Sequence, residues 1–225
     1  MLNSRGYSCT LSVSEQLEFY LCFTDGVLWY NMPQGERRSA ELEFRDLTYD
    51  GSLEDNYLTG GLGQLMDGDI GQSNFRQDSK NFGIKGYEWV GWKNESIANG
   101  LVEMIFKFDG KRNFTGMTLH CNNLFSKEVR IFRSAHLSFS ENAKLFPAPS
   151  VDYRQTMDVV VEQARNVIIP LNNGVGHYVK VQLYFDSRWM MISEVQFESG
   201  NFNWFVAFLQ LLNLANKVFP YNFHL

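Results

Sequence analysis

Strict alternation of apolar and polar side chains is the feature of this 225-residue sequence that most limits its fold. The segments LVEMIFKF (101–108) and YVKVQLYF (178–185) both have a period of two, which is the period of a half-buried β-strand. In the second segment, Lys180 and Gln182 fall on the side opposite the apolar residues. We predict that the apolar members face a core; they are Val102, Met104, Phe106, Phe108, Val179, Val181, Leu183 and Phe185.

Several shorter segments have strand composition and are separated by Gly, Asn and Asp turns. They are ELEF (41–44), TGMTLHC (115–121), KEVRIFR (127–133), NVIIPL (166–171) and WMMISEVQF (189–197). Helical periodicity is scarce, and we predict only one or two helical turns in MDVVVEQARN (157–166). Residues 140–153 contain Pro147 and Pro149 and are predicted to form a long surface loop. This pattern predicts an all-β protein built as an antiparallel sandwich or barrel.

A glycine-rich stretch, TGGLGQLMDGDIGQ (59–72), raises the question of a binding loop. It lacks the lysine of a phosphate-binding loop, and Met66 stands where a dinucleotide fingerprint needs its last glycine. The preceding residues, YDGSLEDNYLT (49–59), have turn composition instead of that of a buried strand. From Asp46 to Asp78 there are seven acidic residues and one basic residue, a net charge of −6. A field of that sign repels phosphate and attracts cations, so the alternatives are a metal loop or a solvated acidic loop.

The whole chain has a net charge of −5 and contains no basic stripe, which argues against nucleic acid as a partner. Its three cysteines are Cys9, Cys22 and Cys121, and no His–Cys spacing fits a zinc site. No nucleophile elbow or phosphoryl-transfer motif is present, so no catalytic constellation emerges. Two N-x-[ST] sequons make Asn94 and Asn113 candidate glycan acceptors if the chain is secreted.

The two ends of the sequence differ from the middle. The first residues lack a cationic start followed by an apolar run, so there is no clear signal peptide. Residues 203–225 are strongly apolar, but the run 204–219 is only 16 residues long and contains Asn, Gln and Lys. A membrane-spanning helix needs about 20 apolar residues, so we predict a packed or amphipathic helix, with a membrane anchor as the alternative.

Long ordered motifs then resemble a known family. The motifs LEFYLCFTDGVLWYNMPQG (17–35), LTYDG (47–51), GGLGQLMDG (60–68), YEWVGWKNES (87–96), RNFTGMTLHCNNLFSKEVRIF (112–132) and WMMISEVQFES (189–199) are similar to the extracellular region of the discoidin domain receptors, the collagen-activated receptor tyrosine kinases. The resemblance implies a jelly-roll β-barrel, the discoidin-like domain, over residues 23–199. Residues 1–22 would then be the remnant of a preceding discoidin domain, and 200–225 an apolar tail of unknown role.

The family's discoidin-like domain binds calcium, and the resemblance assigns the glycine-rich loop to that site. It implies side-chain oxygens from Gln64 and Asp67, backbone carbonyls from Asp69, Tyr87 and Trp89, and closure of the site by Ser193 and Glu194. Such a mixture of carboxylate, amide and carbonyl oxygens suits Ca²⁺, which takes six to eight oxygen ligands. Met190 and Ile192 lie on the same side of the strand as Glu194, so a carboxylate at that position needs a partner.

One position departs from the family's pattern. Where the family has an asparagine ligand this chain has Arg45, which cannot bind a metal through its side chain, and Asp46 is the candidate replacement. If no calcium binds, the Arg45 guanidinium is the group expected to fill the cavity and pair with Asp67.

The resemblance therefore predicts a membrane-proximal, non-catalytic receptor module on the extracellular side of the plasma membrane. It implies collagen as a partner of the full-length receptor but not of this chain alone, a receptor dimer, and membrane attachment through a segment absent from this chain. Two alternatives stay open. One is a carbohydrate- or glycoprotein-binding jelly roll that uses Trp89, Trp92 and Trp189 as sugar platforms, and the other is an enzyme that uses the acidic cluster with a metal.

Overall fold

The structure is a computed structural model that describes residues 26–201. It contains nine strands: β1 (Val27–Pro33), β2 (Ser52–Glu54), β3 (Tyr57–Gly61), β4 (Val90–Lys93), β5 (Leu101–Cys121), β6 (Ser134–Ser140), β7 (Val151–Arg154), β8 (Arg165–Tyr184) and β9 (Trp189–Asn201). The helical elements in this range are three short 3₁₀ turns, Gln64–Met66, Ala98–Gly100 and Phe125–Lys127. No helix within this range is long and apolar enough to cross a membrane. The predicted remnant 1–22 and the tail helix 204–219 lie outside the described residues.

The two longest strands, β5 and β8, connect two layers of the fold. They pair with each other along almost their whole length, with register shifts between Lys107 and Arg112 and between Phe114 and Gly116. On one side of these bulges the strand order is β2-β3-β1-β5-β8-β6-β7, and β9 pairs with the second half of β5 and with β4. Because bulges bend strands, one long pair contributes to both layers, and the result is an all-β antiparallel sandwich, as predicted.

The core lies between the two layers and consists of the alternate residues that the sequence pattern selects. All eight apolar residues predicted to face inward along residues 101–108 and 178–185 are buried. A main cluster contains five closely packed phenylalanines: Phe106, Phe108, Phe114, Phe139 and Phe197. A smaller cluster under the loops contains Phe44, Phe75, Trp89, Val129, Trp189 and Met191.

Three segments predicted to form strands or a helix do not form them. Residues 127–133 do not form a strand, because the chain turns at Glu128 with a left-handed φ of 62° and only Val129 makes an isolated bridge, to Trp189. Residues 41–44 make isolated bridges only. The stretch 157–166 contains no helix, because the Asp158 carboxylate accepts the Val160 and Val161 amides at 2.9 and 3.0 Å, which fixes a loop.

The turn-like residues 49–59 proved to contain a β-hairpin. Strands β2 and β3 pair there, and Asp55 and Asn56 form the turn between them with φ values of 48° and 62°. Asp and Asn are the non-glycine residue types that most readily adopt a positive φ, so they suit this turn. The predicted loop 140–153 is irregular over most of its length and ends in β7.

Candidate functional site

The glycine-rich loop is held in a narrow space by two kinds of glycine. Gly68 has a φ of +83°, a conformation that favours glycine. Gly63 is extended, but a Cβ on it would lie 2.4 Å from an Asp46 carboxylate oxygen. The loop therefore passes directly against Asp46, and the 3₁₀ turn Gln64–Met66 follows from that contact point.

Asp46, Gln64 and Tyr87 meet at the first part of the site. Asp46 is 3% exposed, and its carboxylate accepts the Tyr30 hydroxyl and, at 3.1 Å, the Gln64 amide. The Gln64 side chain is also buried; its Oε1 accepts the Leu47 amide at 2.7 Å, and its Nε2 donates to the Tyr87 carbonyl. The Gln64 side chain and the Tyr87 carbonyl thus lie together, joined through Nε2, and Asp46, not Arg45, points its side chain towards Gln64; their role as ligands stays a prediction.

Asp67 and Glu194 form the second part of the site. The Gly68 amide, next to Asp67, donates to Glu194 Oε2 at 3.1 Å and joins the loop to β9 across 126 residues of sequence. Glu194 is 5% exposed, so its carboxylate is buried at the base of the loop. Asp67 Oδ1 accepts the Asp69 amide at 2.8 Å, which turns the loop back over Asp67.

Ser193 and Trp89 fasten the loop to the sandwich. The Ser193 hydroxyl accepts the Gly71 amide at 3.0 Å. The Trp89 indole donates to the Gln72 carbonyl at 3.2 Å and stacks on His120 with ring centroids 5.6 Å apart. These side-chain contacts position the loop; the backbone carbonyls predicted from Trp89 and Asp69 stay predictions.

The electrostatics of the site favour a cation. Burial raises the pKa of Asp46, against the hydrogen bonds from Tyr30, Gln64 and Thr48 that lower it. Burial likewise raises the pKa of Asp67, with the negative charges of Asp69 and Asp46 adding to the effect. A nearby cation stabilises the charged forms of both carboxyls against burial and against their mutual repulsion.

Two basic side chains close to the loop in sequence, Lys80 and Arg45, are paired with other carboxylate oxygens. Lys80 pairs with the outer oxygen of Asp69 at 2.7 Å. The Arg45 guanidinium donates to both carboxylate oxygens of Glu43 at 2.8 Å each, so the expectation that it could occupy the site and pair with Asp67 does not match the structure. Glu43 attracts it because the alternating stretch 41–45 places the two side chains on one side.

The Arg45–Glu43 pair makes a pH-dependent prediction. The Arg45 side chain, with further bonds from the Arg45 amide and Arg37, lowers the pKa of Glu43 to about 2, although burial opposes the shift. Since the folded value lies below the ordinary 4.5, this stability is present above pH 4.5 and lost as the pH falls towards 2. We expect Glu43→Gln to lower the denaturation midpoint at pH 7 and to lose this effect between pH 4.5 and 2. Urea unfolding at several pH values measures this, with the exposed Glu54→Gln as control; a pH-independent difference would contradict it.

Two residues missed by the sequence analysis complete the site's support. The Tyr30 hydroxyl bonds the Asp46 carboxylate, and the Gln34 side chain accepts the Asp46 amide at 2.8 Å and donates to the Asp46 carbonyl at 3.1 Å. Tyr30 lies in β1, 16 residues before Asp46, and Gln34 lies just after β1, 12 residues before Asp46. No sequence signal connects them with the acidic loop, because only strand pairing brings β1 beside it.

Within residues 26–201, no three His, Cys, Asp or Glu side chains lie close enough together to hold a metal by themselves. The donors around the loop are the Asp67 and Glu194 carboxylates, the Gln64 side-chain amide and the Tyr87 carbonyl. This all-oxygen set fits a hard cation such as Ca²⁺ and lacks the nitrogen and sulfur ligands of a zinc site.

The other predicted residues are placed as follows. Trp89, Trp92 and Trp189 are 0, 0 and 5% exposed, so the hypothesis that they are sugar platforms is wrong. Cys121 is a buried free thiol whose pKa is raised by burial, a property of unreactive core cysteines. A pocket lined by Asn123, Arg130, Phe132, Met157 and Arg165, among others, contains none of the candidate metal ligands.

The two sequons differ in accessibility. Asn94 is exposed at the end of β4, which leaves it a predicted glycan acceptor. Asn113 is 5% exposed in the middle of β5, and its side-chain nitrogen donates to Asn173 at 3.3 Å. A glycan on Asn113 would have to displace this packing, so the structure disfavours Asn113 as an acceptor.

Comparison with known proteins identifies the module. Residues 26–199 match the family model of the discoidin domain-containing receptor 1/2 DS-like domain, a module other than the kinase. The chain is 36% identical over 208 residues to the discoidin domain-containing receptor tyrosine kinase B of Caenorhabditis elegans, covering 91% of this chain and 24% of that receptor. It is 34% identical to rat epithelial discoidin domain-containing receptor 1, covering 86% of this chain and 22% of that one. The chain therefore spans about a quarter of the length of these relatives.

Solved structures with a similar shape are more distant. They include the C-terminal domain of a chitobiase from Bacteroides fragilis, with 11% identity and a TM-score of 0.46, covering 79% of this chain and 95% of that one. A fucose-binding module of Streptococcus pneumoniae has 11% identity and a TM-score of 0.41, covering 68% of this chain and 94% of the module. The family model and the sequence relatives agree, and we conclude that this chain belongs to the discoidin domain receptor family through its discoidin-like domain.

Proposed function

We propose that residues 26–201 form a non-catalytic receptor module stabilised by one calcium ion at the acidic loop. The observation that supports this best is the meeting of Glu194 with the loop. A buried carboxylate on the last strand, Glu194, accepts the Gly68 amide beside Asp67, an exposed carboxyl whose pKa is raised by its partial burial. A carboxylate in a core costs free energy, which a cation at the loop would offset.

The residues that would hold the ion are those that converge here. Asp67 and Glu194 would supply carboxylates, Gln64 a side-chain oxygen and Tyr87 a backbone carbonyl, while Asp46 would position Gln64 by accepting its backbone amide. When bound, the ion would supply positive charge to these oxygens. Mg²⁺ is expected to substitute poorly, because it demands a tight octahedron and keeps several waters.

The role of the site would be mechanical. The loop lies between β3 and β4, whereas Glu194 lies in β9, which continues to residue 201 at the edge of the described chain. Joining these segments would stiffen the module against shear between its two layers. A stiff module can hold a preceding ligand-binding domain at a fixed orientation and transmit its state, which is the structural and regulatory role we propose.

The proposal extends to the whole receptor. Collagen would bind through a part of the receptor other than this module, and the module would lie on the extracellular side of the plasma membrane. Dimerisation of the receptor belongs to the same proposal. These assignments are supported by membership of the receptor family.

Direct binding tests the calcium site. We expect isothermal titration of the chelator-treated full chain to give one Ca²⁺ per chain and weaker binding in Asp67→Asn and Glu194→Gln. Loss of one charged ligand should weaken the calcium affinity by about tenfold or more. Glu54→Gln, an exposed carboxylate in β2, is the matched control and should bind as the parent does. Equal affinity in all four proteins would refute the assignment of the ligands.

A further inference from the structure

A second, basic region lies on the loops over the smaller core cluster. Arg38, in the loop after β1, places its guanidinium carbon 5.5 Å from the ring centre of Phe75 and 5.3 Å from that of Trp189. Its NH2 group donates to the Lys127 carbonyl at 2.7 Å. The two rings and this bond fix the plane of the guanidinium.

One nitrogen of this guanidinium lacks an acceptor. Arg38 NH1 is buried and has no hydrogen-bond partner within residues 26–201. Burial lowers the pKa of Arg38, the positive charges of Arg76 and Arg188 lower it further, and only Glu128 acts in the opposite direction. An orphaned cationic donor costs free energy, and an anion bound beside it would offset that cost.

The surrounding charges favour an anion as well. Arg76 directly follows Phe75, the ring on which Arg38 stacks, and Lys127 supplies the carbonyl that Arg38 bonds. Within the described part of the chain, Arg38, Arg76 and Lys127 have no ion pair. Glu128, whose negative charge acts on Arg38, accepts a hydrogen bond from Arg188 at 3.1 Å, and Arg188 also donates to Glu95 at 3.1 Å.

We propose that Arg38, Arg76 and Lys127 form a binding site for a tetrahedral oxyanion, the sulfate or phosphate group of a monoester. Arginine is suited to such groups because its planar fork donates two parallel hydrogen bonds, and lysine adds a point charge. Arg76 is near enough for its charge to act on Arg38, and the Arg38 guanidinium is bonded to the Lys127 backbone, so three segments of the chain bring these positive charges to one region. This site is independent of the calcium proposal, since it shares no residue with the acidic loop.

The first test uses inorganic sulfate on the full chain, with sodium chloride keeping the ionic strength constant. We expect the Arg38 and Arg76 side-chain Nε signals in ¹⁵N NMR spectra to shift and saturate. Arg76→Gln and Lys127→Gln, both exposed positions, should each weaken binding by about tenfold or less without unfolding the protein. Arg37→Gln is the matched control, because Arg37 is adjacent but paired with Glu43 at 2.9 Å. Absence of saturation, or equal binding by parent, Arg76→Gln and Lys127→Gln, would overturn the proposal.

A second arm distinguishes the two sources of the oxyanion. Glucose 6-sulfate and glucose 6-phosphate are titrated separately, with glucose as the uncharged control. Tighter binding of either ester than of glucose supports the site and identifies the ester class. If both esters fail to shift the two arginine signals, the monoester proposal is wrong even if inorganic sulfate binds.

Discussion

Chelation of calcium is expected to lower the melting temperature of this protein by roughly 5–10 °C. A ligand that binds only the folded state stabilises it by about 2.7 kcal/mol at a hundredfold excess over Kd. For a domain of this size, each kcal/mol corresponds to about 2–4 °C. The loss should be this large because the Asp46 and Glu194 carboxylates are buried and burial raises the pKa of Asp67, so the loop would lose the cation that stabilises these charges. Differential scanning calorimetry in excess calcium and in excess chelator measures the shift.

Variants locate the source of that shift. Asp67→Asn and Glu194→Gln should melt at a temperature that depends little on calcium, because each removes one of the two proposed carboxylate ligands. The control Glu54→Gln should keep the full difference, since Glu54 is exposed and belongs to the same acidic region. A parent protein whose melting temperature does not respond to chelator would show that the carboxylates are compensated in another way. Arg45 would not be the explanation, because Glu43 holds its guanidinium.

Truncation of Phe197 to alanine is expected to cost about 3–5 kcal/mol of unfolding free energy, the usual loss for a buried phenylalanine. Phe197 is 4% exposed and contacts three rings, with centroids 5.0 Å from Phe106, 5.2 Å from Phe108 and 6.0 Å from Phe114. These rings come from β5, whereas Phe197 comes from β9, so the cavity would open between paired strands that cannot easily close it. Urea unfolding of parent and variant in excess chelator gives the difference without a contribution from calcium.

Phe82→Ala is the matched control for that experiment. It deletes the same atoms from a side chain that is 59% exposed and contacts Tyr87 edge-on. Surface substitutions of this kind change stability by about 0.5 kcal/mol or less. If the two variants lost similar stability, the five-phenylalanine cluster would not be the main source of packing energy.

The fold class was predictable because burial of one face imposes a period of two on a strand, and that period is visible in a single sequence. Residues 101–108 and 178–185 show it most clearly, and both segments are strands with the predicted residues inside. The errors fell where local chemistry overrides the period. Residues 127–133 alternate weakly, but the positive φ of Glu128 ends any strand there. Residues 157–166 have helical composition, but the Asp158 carboxylate binds the next amides and prevents a helix.

Part of the candidate site could likewise be predicted from the sequence, and part could be seen only in the structure. The acidic, glycine-rich loop and its sign of charge are properties of consecutive residues, and the family motifs assign Gln64, Asp67 and Glu194 to one site. The burial of Asp46, its bonds to Tyr30 and Gln34, and the capture of Arg45 by Glu43 depend on strands that are distant in sequence. The sequon at Asn113 was misleading for a related reason: the three-residue motif is local, but accessibility is set by strands on both sides of β5.

The sequence by itself determined the all-β class, the inward-facing residues of the long strands and the acidic character of the loop, because each is written in local periodicity or composition. The tertiary structure decided which carboxylates are buried together, which arginines keep an ion pair and which tryptophans reach solvent. Those properties depend on distances between residues such as Gly68 and Glu194, 126 positions apart. Only the pairing of β9 with β4 and β5, over the bend shared by the two layers, sets such distances.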